Sequence, residues 1–241
     1  MNKIIVFGFV LMLFSACIPQ QKKNVSLKPL EVVKLNISEP SGISYFNNHL
    51  YIVSDQNGIV YKTSLDGEIQ QKIKTKYSDL EGITIDTNSK EIWLVSEGKR
   101  KLIAIDSLGR KVKSFIIKGK QKRENSGLEG VCYDKIDSVL YVVNEKSPKQ
   151  LLKLNLTGEI TSTIDLKFAD DISGISKDDK FNNLWIVSDE SNSIYNIDKK
   201  GELLKKYKIS VPKAEGIVVI NNRIYIVSDS SKKLYIYEKP I

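Results

Sequence analysis

An all-β fold is what the sequence predicts, and three observations predict it. One apolar string recurs five times, β-branched and aromatic residues fill it, and no long stretch after the N-terminus places apolar residues at helical spacing. The strings are LYIVSD at 50–55, IWLVSE at 92–97, LYVVNE at 140–145, LWIVSD at 184–189 and IYIVSD at 224–229. Each ends in a small polar residue and then a carboxylate. With 241 residues and 41% hydrophobic content, the chain can fill the core of one large domain or two small ones.

A second motif opens each unit: PSGI at 40–43, LEGI at 80–83, LEGV at 128–131, ISGI at 172–175 and AEGI at 214–217. Its glycines, Gly42, Gly82, Gly130, Gly174 and Gly216, are spaced 40, 48, 44 and 42 residues apart. Periods of about 40–50 residues with several strands each indicate propeller blades. Repeat two resolves into four strands, Gly82–Asp86, Glu91–Glu97, Lys101–Asp106 and Arg110–Lys118. The turns LDGE at 65–68, LTGE at 157–160 and KKGE at 199–202 put glycine where a tight hairpin needs positive φ. The second strands are almost continuously apolar because neighbouring blades cover both of their faces.

Repeat five has three strands and no fourth, while LEVVKLNIS at 30–38 precedes repeat one without a hairpin partner. Two open edges are avoided if these pair, with the N-terminal strand as the outermost strand of the last blade. The expected architecture is therefore five four-stranded antiparallel blades over residues 30–241. A six-bladed ring is the alternative, and it needs a blade that the repeats do not supply.

The N-terminus is organised differently. Lys3 precedes IIVFGFVLMLFSA, an apolar run of 13 residues, shorter than the ~20 needed to span a bilayer and suited to a secretory signal core. It leads into Phe14-Ser15-Ala16-Cys17, which resembles the bacterial lipoprotein signal. That resemblance implies a signal peptide over 1–16, cleavage before Cys17, and acylation of Cys17 as a membrane anchor in the cell envelope. An ordinary signal peptide with an incidental cysteine is the plainer reading. Residues 17–29 would be the lipidated cysteine and a polar tether. Cys132 is the one other cysteine, so a lipidated Cys17 leaves no intramolecular disulfide; Cys132 reads as a small buried hydrophobe. The formal charge of +8 comes from lysines scattered along strands and interleaved with acids, which indicates a solvated surface and not a nucleic-acid site.

The openings at Ser41, Glu81, Glu129, Ser173 and Glu215, the VSD/VSE strand ends and LTGEI at 156–160 resemble the SdiA-regulated, or YjiK-type, β-propeller family, related to phytase-like propellers. The resemblance covers roughly residues 30–241 and implies a membrane-associated propeller with a calcium connection. It does not imply an assigned activity.

In a propeller the start of strand one and the end of strand two lie on the same face of the disc. That places Glu81, Glu129 and Glu215, at the channel mouth, with Asp55, Glu97, Glu145, Asp189 and Asp229. Carboxylates so close repel unless they are protonated, paired with Lys or Arg, or bridged by a cation, and hard oxygen ligands suit Ca²⁺. The five strand-end acids have a structural reading too, as acceptors for backbone N–H groups of the next blade. For Glu81, Glu129 and Glu215 the resemblance to metal-binding propellers, which place an acid at this strand start, implies a ligand role. The same face carries the longer connections, including basic stretches at 98–101, 118–127 and 146–149.

His49, the only histidine, falls in a turn on the opposite face, which argues against hydrolysis by a Ser-His-Asp or Cys-His site and against zinc. The expected function is a lipid-anchored, non-enzymatic module that binds a ligand or protein on its acidic face, with Ca²⁺ as the candidate cofactor. The alternative is a calcium-dependent, phytase-like phosphoesterase, which needs only carboxylates, metal and basic residues.

Overall fold

The computed structural model describes residues 25–120 and 127–240. Their strands form five sheets. Blade one is β3 (Pro40–Phe46), β4 (His49–Ser54), β5 (Ile59–Thr63) and β6 (Ile69–Lys74), and blade two is β7 (Leu80–Ile85), β8 (Ile92–Ser96), β9 (Lys101–Ile105) and β10 (Lys111–Ile116). Blade three is β11 (Leu128–Asp134), β12 (Val139–Asn144), β13 (Gln150–Leu154) and β14 (Ile160–Asp165). Blade four is β15 (Gly174–Asp178), β16 (Asn183–Ser188), β17 (Ser193–Ile197) and β18 (Leu203–Lys208). Blade five takes β19 (Ala214–Ile220), β20 (Arg223–Ser228) and β21 (Lys233–Glu238) from the C-terminal end, and its fourth strand is β2 (Glu31–Lys34). Pairing is antiparallel throughout each blade, with Val32 opposite Tyr235 and Val33 opposite Leu234 at the closure. The fold is a five-bladed propeller closed by its N-terminal strand, and the six-bladed alternative is excluded.

The recurring strings explain the packing. Strand side chains alternate sides, so successive residues of one second strand enter different cores. Leu50 and Ile52 join the core shared with blade five, while Val53 joins the core shared with blade two. Leu140 and Val142 face blade two, whereas Tyr141 and Val143 face blade four. Five apolar clusters result, one at each blade boundary. Cys132 is buried in the cluster between blades three and four, as a small apolar side chain would be.

The glycine of each opening motif has a steric cause. A Cβ on Gly82 would sit 2.9 Å from the Gly130 Cα, and one on Gly42 would sit 2.9 Å from the Gly82 Cα. The innermost strands therefore touch backbone to backbone around the axis, which a side chain would prevent. Glycine at this position lets five blades close.

The small polar residue in VSD also has a job. The Ser54 Oγ donates to the Ser38 carbonyl at 2.6 Å, the Ser96 Oγ to Ser78 at 3.3 Å, and the Ser228 Oγ to Pro212. Each ties the end of strand two to the segment entering strand one of its own blade. One boundary moves relative to the sequence reading. Within the segment assigned to a tether, β1 (Val25–Ser26) pairs parallel to β18, adding a fifth strand to blade four's sheet. The proposed anchor, Cys17, and its signal segment lie outside the described residues.

Candidate functional site

The acids converge as their register demands. A cavity of about 240 Å³ opens on the face where first strands begin, and its lining contains Asp55, Glu81, Glu97, Glu129, Glu145, Glu215 and Asp229, seven of the eight acids expected there. Asp189 is the exception. Its carboxylate accepts from the Ala214 amide at 3.2 Å, which spaces blade four from blade five. Glu97 makes the equivalent bond to the Gly127 amide at 3.1 Å, yet it still lines the cavity. The structural reading of strand-end acids thus holds for these two.

The carboxylates sort into two triads. Asp55, Asp79 and Glu81 can bring one oxygen each to within 4.8 Å of one another, and so can Glu97, Glu129 and Glu145. Two oxygens on one Ca²⁺, at about 2.4 Å each, are at most about 4.8 Å apart, so either triad could hold an ion with water completing the shell. The expected trio is divided: Glu81 and Glu129 fall in different triads, and Glu215 belongs to neither. Sequence reasoning missed Asp79, Glu39 and Lys213. All three stand two residues before the strand-opening Ser or Glu, and all adopt positive φ, which turns the chain into the first strand. Their carbonyls accept from the strand-end acids: Asp55 N bonds Glu39 O at 3.2 Å, Glu97 N bonds Asp79 O at 3.1 Å and Asp229 N bonds Lys213 O at 3.1 Å.

Burial and repulsion govern the electrostatics. Glu97 and Glu129 are each only 7% exposed. Burial, then repulsion from Glu81, Glu97 and Glu145, pushes the Glu129 carboxyl well above the usual carboxylate range. Burial, then Asp55, Glu97, Glu215 and Asp79, does the same to Glu81. Glu215 rises to about 7, mainly through burial, with Lys213 opposing and Asp189 and Asp229 reinforcing. Burial also raises Asp55, Glu97 and Glu145. Among the described residues, Lys213 is the one cation in the lining.

Among the described residues, the basic connections reach the acidic cluster only at its flank, through Lys146. Arg100 turns inward, where its guanidinium donates to the Asn144 side chain and, at 3.2 Å, to the Ile117 carbonyl. Lys146 bridges Glu145 at 3.1 Å and Glu190 at 2.6 Å on the flank. Part of the 118–127 stretch lies outside the described residues. On the far face, the His49 Nδ1 stands 2.6 Å from the Asn47 carbonyl, remote from every acid above.

Comparison with known proteins agrees with this architecture. The model of the family described as SdiA-regulated matches residues 14–237. Among solved structures, glutaminyl cyclase from Myxococcus xanthus is similar with a TM-score of 0.71 at 12% identity, over 90% of this chain and 98% of that one. A nidogen/laminin complex gives 0.61 at 12% identity, over 83% and 76%. A gluconolactonase from Xanthomonas campestris gives 0.58 at 13% identity, over 86% and 79%. Likeness at such identities establishes the fold alone.

Proposed function

The chain belongs to the SdiA-regulated family, and we propose that it is a lipid-anchored envelope protein whose propeller binds, without catalysis, a ligand or protein through a Ca²⁺-loaded acidic face. One observation carries this reading: five of the six carboxylates in the two triads line one cavity whose lining, among the described residues, contains a single lysine. Such a cluster is relieved by protons or by a cation, and the all-oxygen ligand set suits a hard ion. The anchor rests on the Phe14-Ser15-Ala16-Cys17 sequence, with acyl chains on Cys17 holding the protein to the bilayer.

The phosphoesterase reading needs cations for a different purpose. Eight carboxylates repel a phosphate ester unless metal reverses the local charge, and the inward turn of Arg100 removes one candidate phosphate ligand. The test is a melt of the purified protein with EDTA and with millimolar Ca²⁺, alongside turnover of generic phosphoesters. A Ca²⁺-dependent rise in melting temperature without turnover is expected. An unmoved melt sinks the metal site, and Ca²⁺-dependent turnover replaces the binding module with the enzyme.

A further inference from the structure

We propose that the outer rim of blades four and five is a docking surface for an anionic lipid bilayer, so that the propeller sits rim-down and its acidic face opens sideways along the membrane. The proposal rests on the lipid-anchor reading of Cys17 and adds an orientation to it.

The described chain begins on this rim. Val25 stands opposite Tyr207 and Ser26 opposite Lys208, and the Leu27 amide bonds the Lys208 carbonyl at 2.9 Å. The chain then crosses to blade five, where the Leu30 amide bonds the Ile236 carbonyl at 2.7 Å. Cys17 lies eight positions before Val25. Eight residues reach at most about 29 Å, less than the breadth of roughly 40 Å expected for a compact domain of this size. An anchor that short keeps the attachment rim beside the bilayer. It holds away blade two, which lies across the ring.

The rim's chemistry suits that neighbour. Of the eleven large apolar side chains exposed among the described residues, five are here: Val25, Leu30, Val32, Leu203 and Leu204. Along the outer strands of these blades and the residues beside them, Lys28, Lys34, Lys205, Lys232 and Lys233 are exposed, against Glu31, Glu202 and Glu238. Lys34 stands directly opposite Lys233 across β2 and β21. Facing like charges are destabilising until an anion screens them. Apolar groups among lysines are what the interface of an anionic bilayer accepts. Blade two supplies the control, because its rim also exposes apolar residues (Leu108, Val112 and Ile116) but lies away from the anchor.

The experiment uses the full lipidated chain in phosphatidylethanolamine–phosphatidylglycerol vesicles that contain a shallow doxyl-labelled quencher lipid. Tryptophan is introduced singly by Val32→Trp, Leu204→Trp and Ile116→Trp; the native Trp93 and Trp185 are buried and give a constant background. Fluorescence should be lost at positions 32 and 204 and retained at 116, with less loss in phosphatidylcholine vesicles or at high salt. Equal quenching at all three positions, or quenching at 116 alone, overturns the proposal. So does a blue shift at 204 that grows with protein concentration without vesicles, because the rim would then be covered by a second copy. A chain that fails to float with the vesicles removes the anchor reading and this proposal together. Flotation without position-dependent quenching removes the proposal and leaves the anchor standing.

Discussion

Glu97 and Glu129, from neighbouring blades, bring carboxylate oxygens within 4.8 Å of each other in a nearly closed environment, where burial and repulsion favour the proton on Glu129. Without a cation the proton is what makes this contact tolerable. Glu129→Gln keeps a donor toward Glu97 and removes one charge. The variant should therefore melt at or above the wild-type temperature in EDTA, while its rise on adding Ca²⁺ should shrink, since a ligand is lost. A large destabilisation in EDTA would mean that Glu129 has a structural role unrelated to charge.

Glu81 should behave like Glu129, and Glu215 should not. Glu81→Gln removes a member of a triad and should cut the Ca²⁺-induced shift in melting temperature. Glu215 lies outside both triads and has Lys213 close by, so Glu215→Gln should leave most of that shift in place. Calorimetric titration of the three variants distinguishes these outcomes from a single site shared by all three glutamates.

The acidic cavity sets the pH dependence. The carboxyls of Glu81, Glu129 and Glu215 have folded-state values raised above their unfolded ones, Glu215 to about 7. Such groups add stability that is fully present below the unfolded value, about 4.3 for a glutamate, and lost as pH rises through the folded one. In EDTA the melting temperature should fall as pH rises from about 5 to about 8, and Ca²⁺ should flatten the fall by taking the protons' place. A flat profile in EDTA would show that the carboxyls are already ionised at pH 5.

The axial glycines should be intolerant. In Gly82→Ala the new Cβ would stand 2.7 Å from Val95 Cγ2 and 2.9 Å from both the Gly130 Cα and the Val131 N. Backbone cannot retreat as a side-chain end can, so a loss of at least about 1–3 kcal/mol is expected in urea unfolding. A smaller loss would mean that the ring can expand.

Ring closure has its own test. Deleting residues 30–38 removes β2 and with it the pairing of Glu31 through Lys34 with β21. It also removes Leu35 and Ile37, both buried between blades five and one. Loss of the cooperative melt or aggregation through the bared edge is expected. A truncated chain that melts like the intact one would mean that β21 finds another partner.

Period and edge logic made the ring legible, because a repeat of strands with one missing partner at each end has a single economical closure. The acids were legible as a class and not as ligand sets. Asp189 and Asp229 stand at equivalent places in their repeats, yet Asp189 bonds the Ala214 amide and Asp229 lines the cavity. That choice depends on how the next blade enters, which a repeat alignment averages away. Asp79 was hidden because it precedes the motif that drew attention, although its place two residues ahead of Glu81 matches those of Glu39 and Lys213 before their own strands. The docking of Val25 and Ser26 left no trace, since two residues carry no periodicity.

The glycine girdle also decides how the acidic face can be filled. Between the two mouths of the axis the space narrows to about 10 Å³ among the first strands, room for about one water. The face is a cup and not a pipe. Anything larger than a single water that settles at its floor, a hydrated ion included, entered through the mouth and must leave the same way. A bulky occupant seated on top therefore traps an ion beneath it, and release follows the order last in, first out.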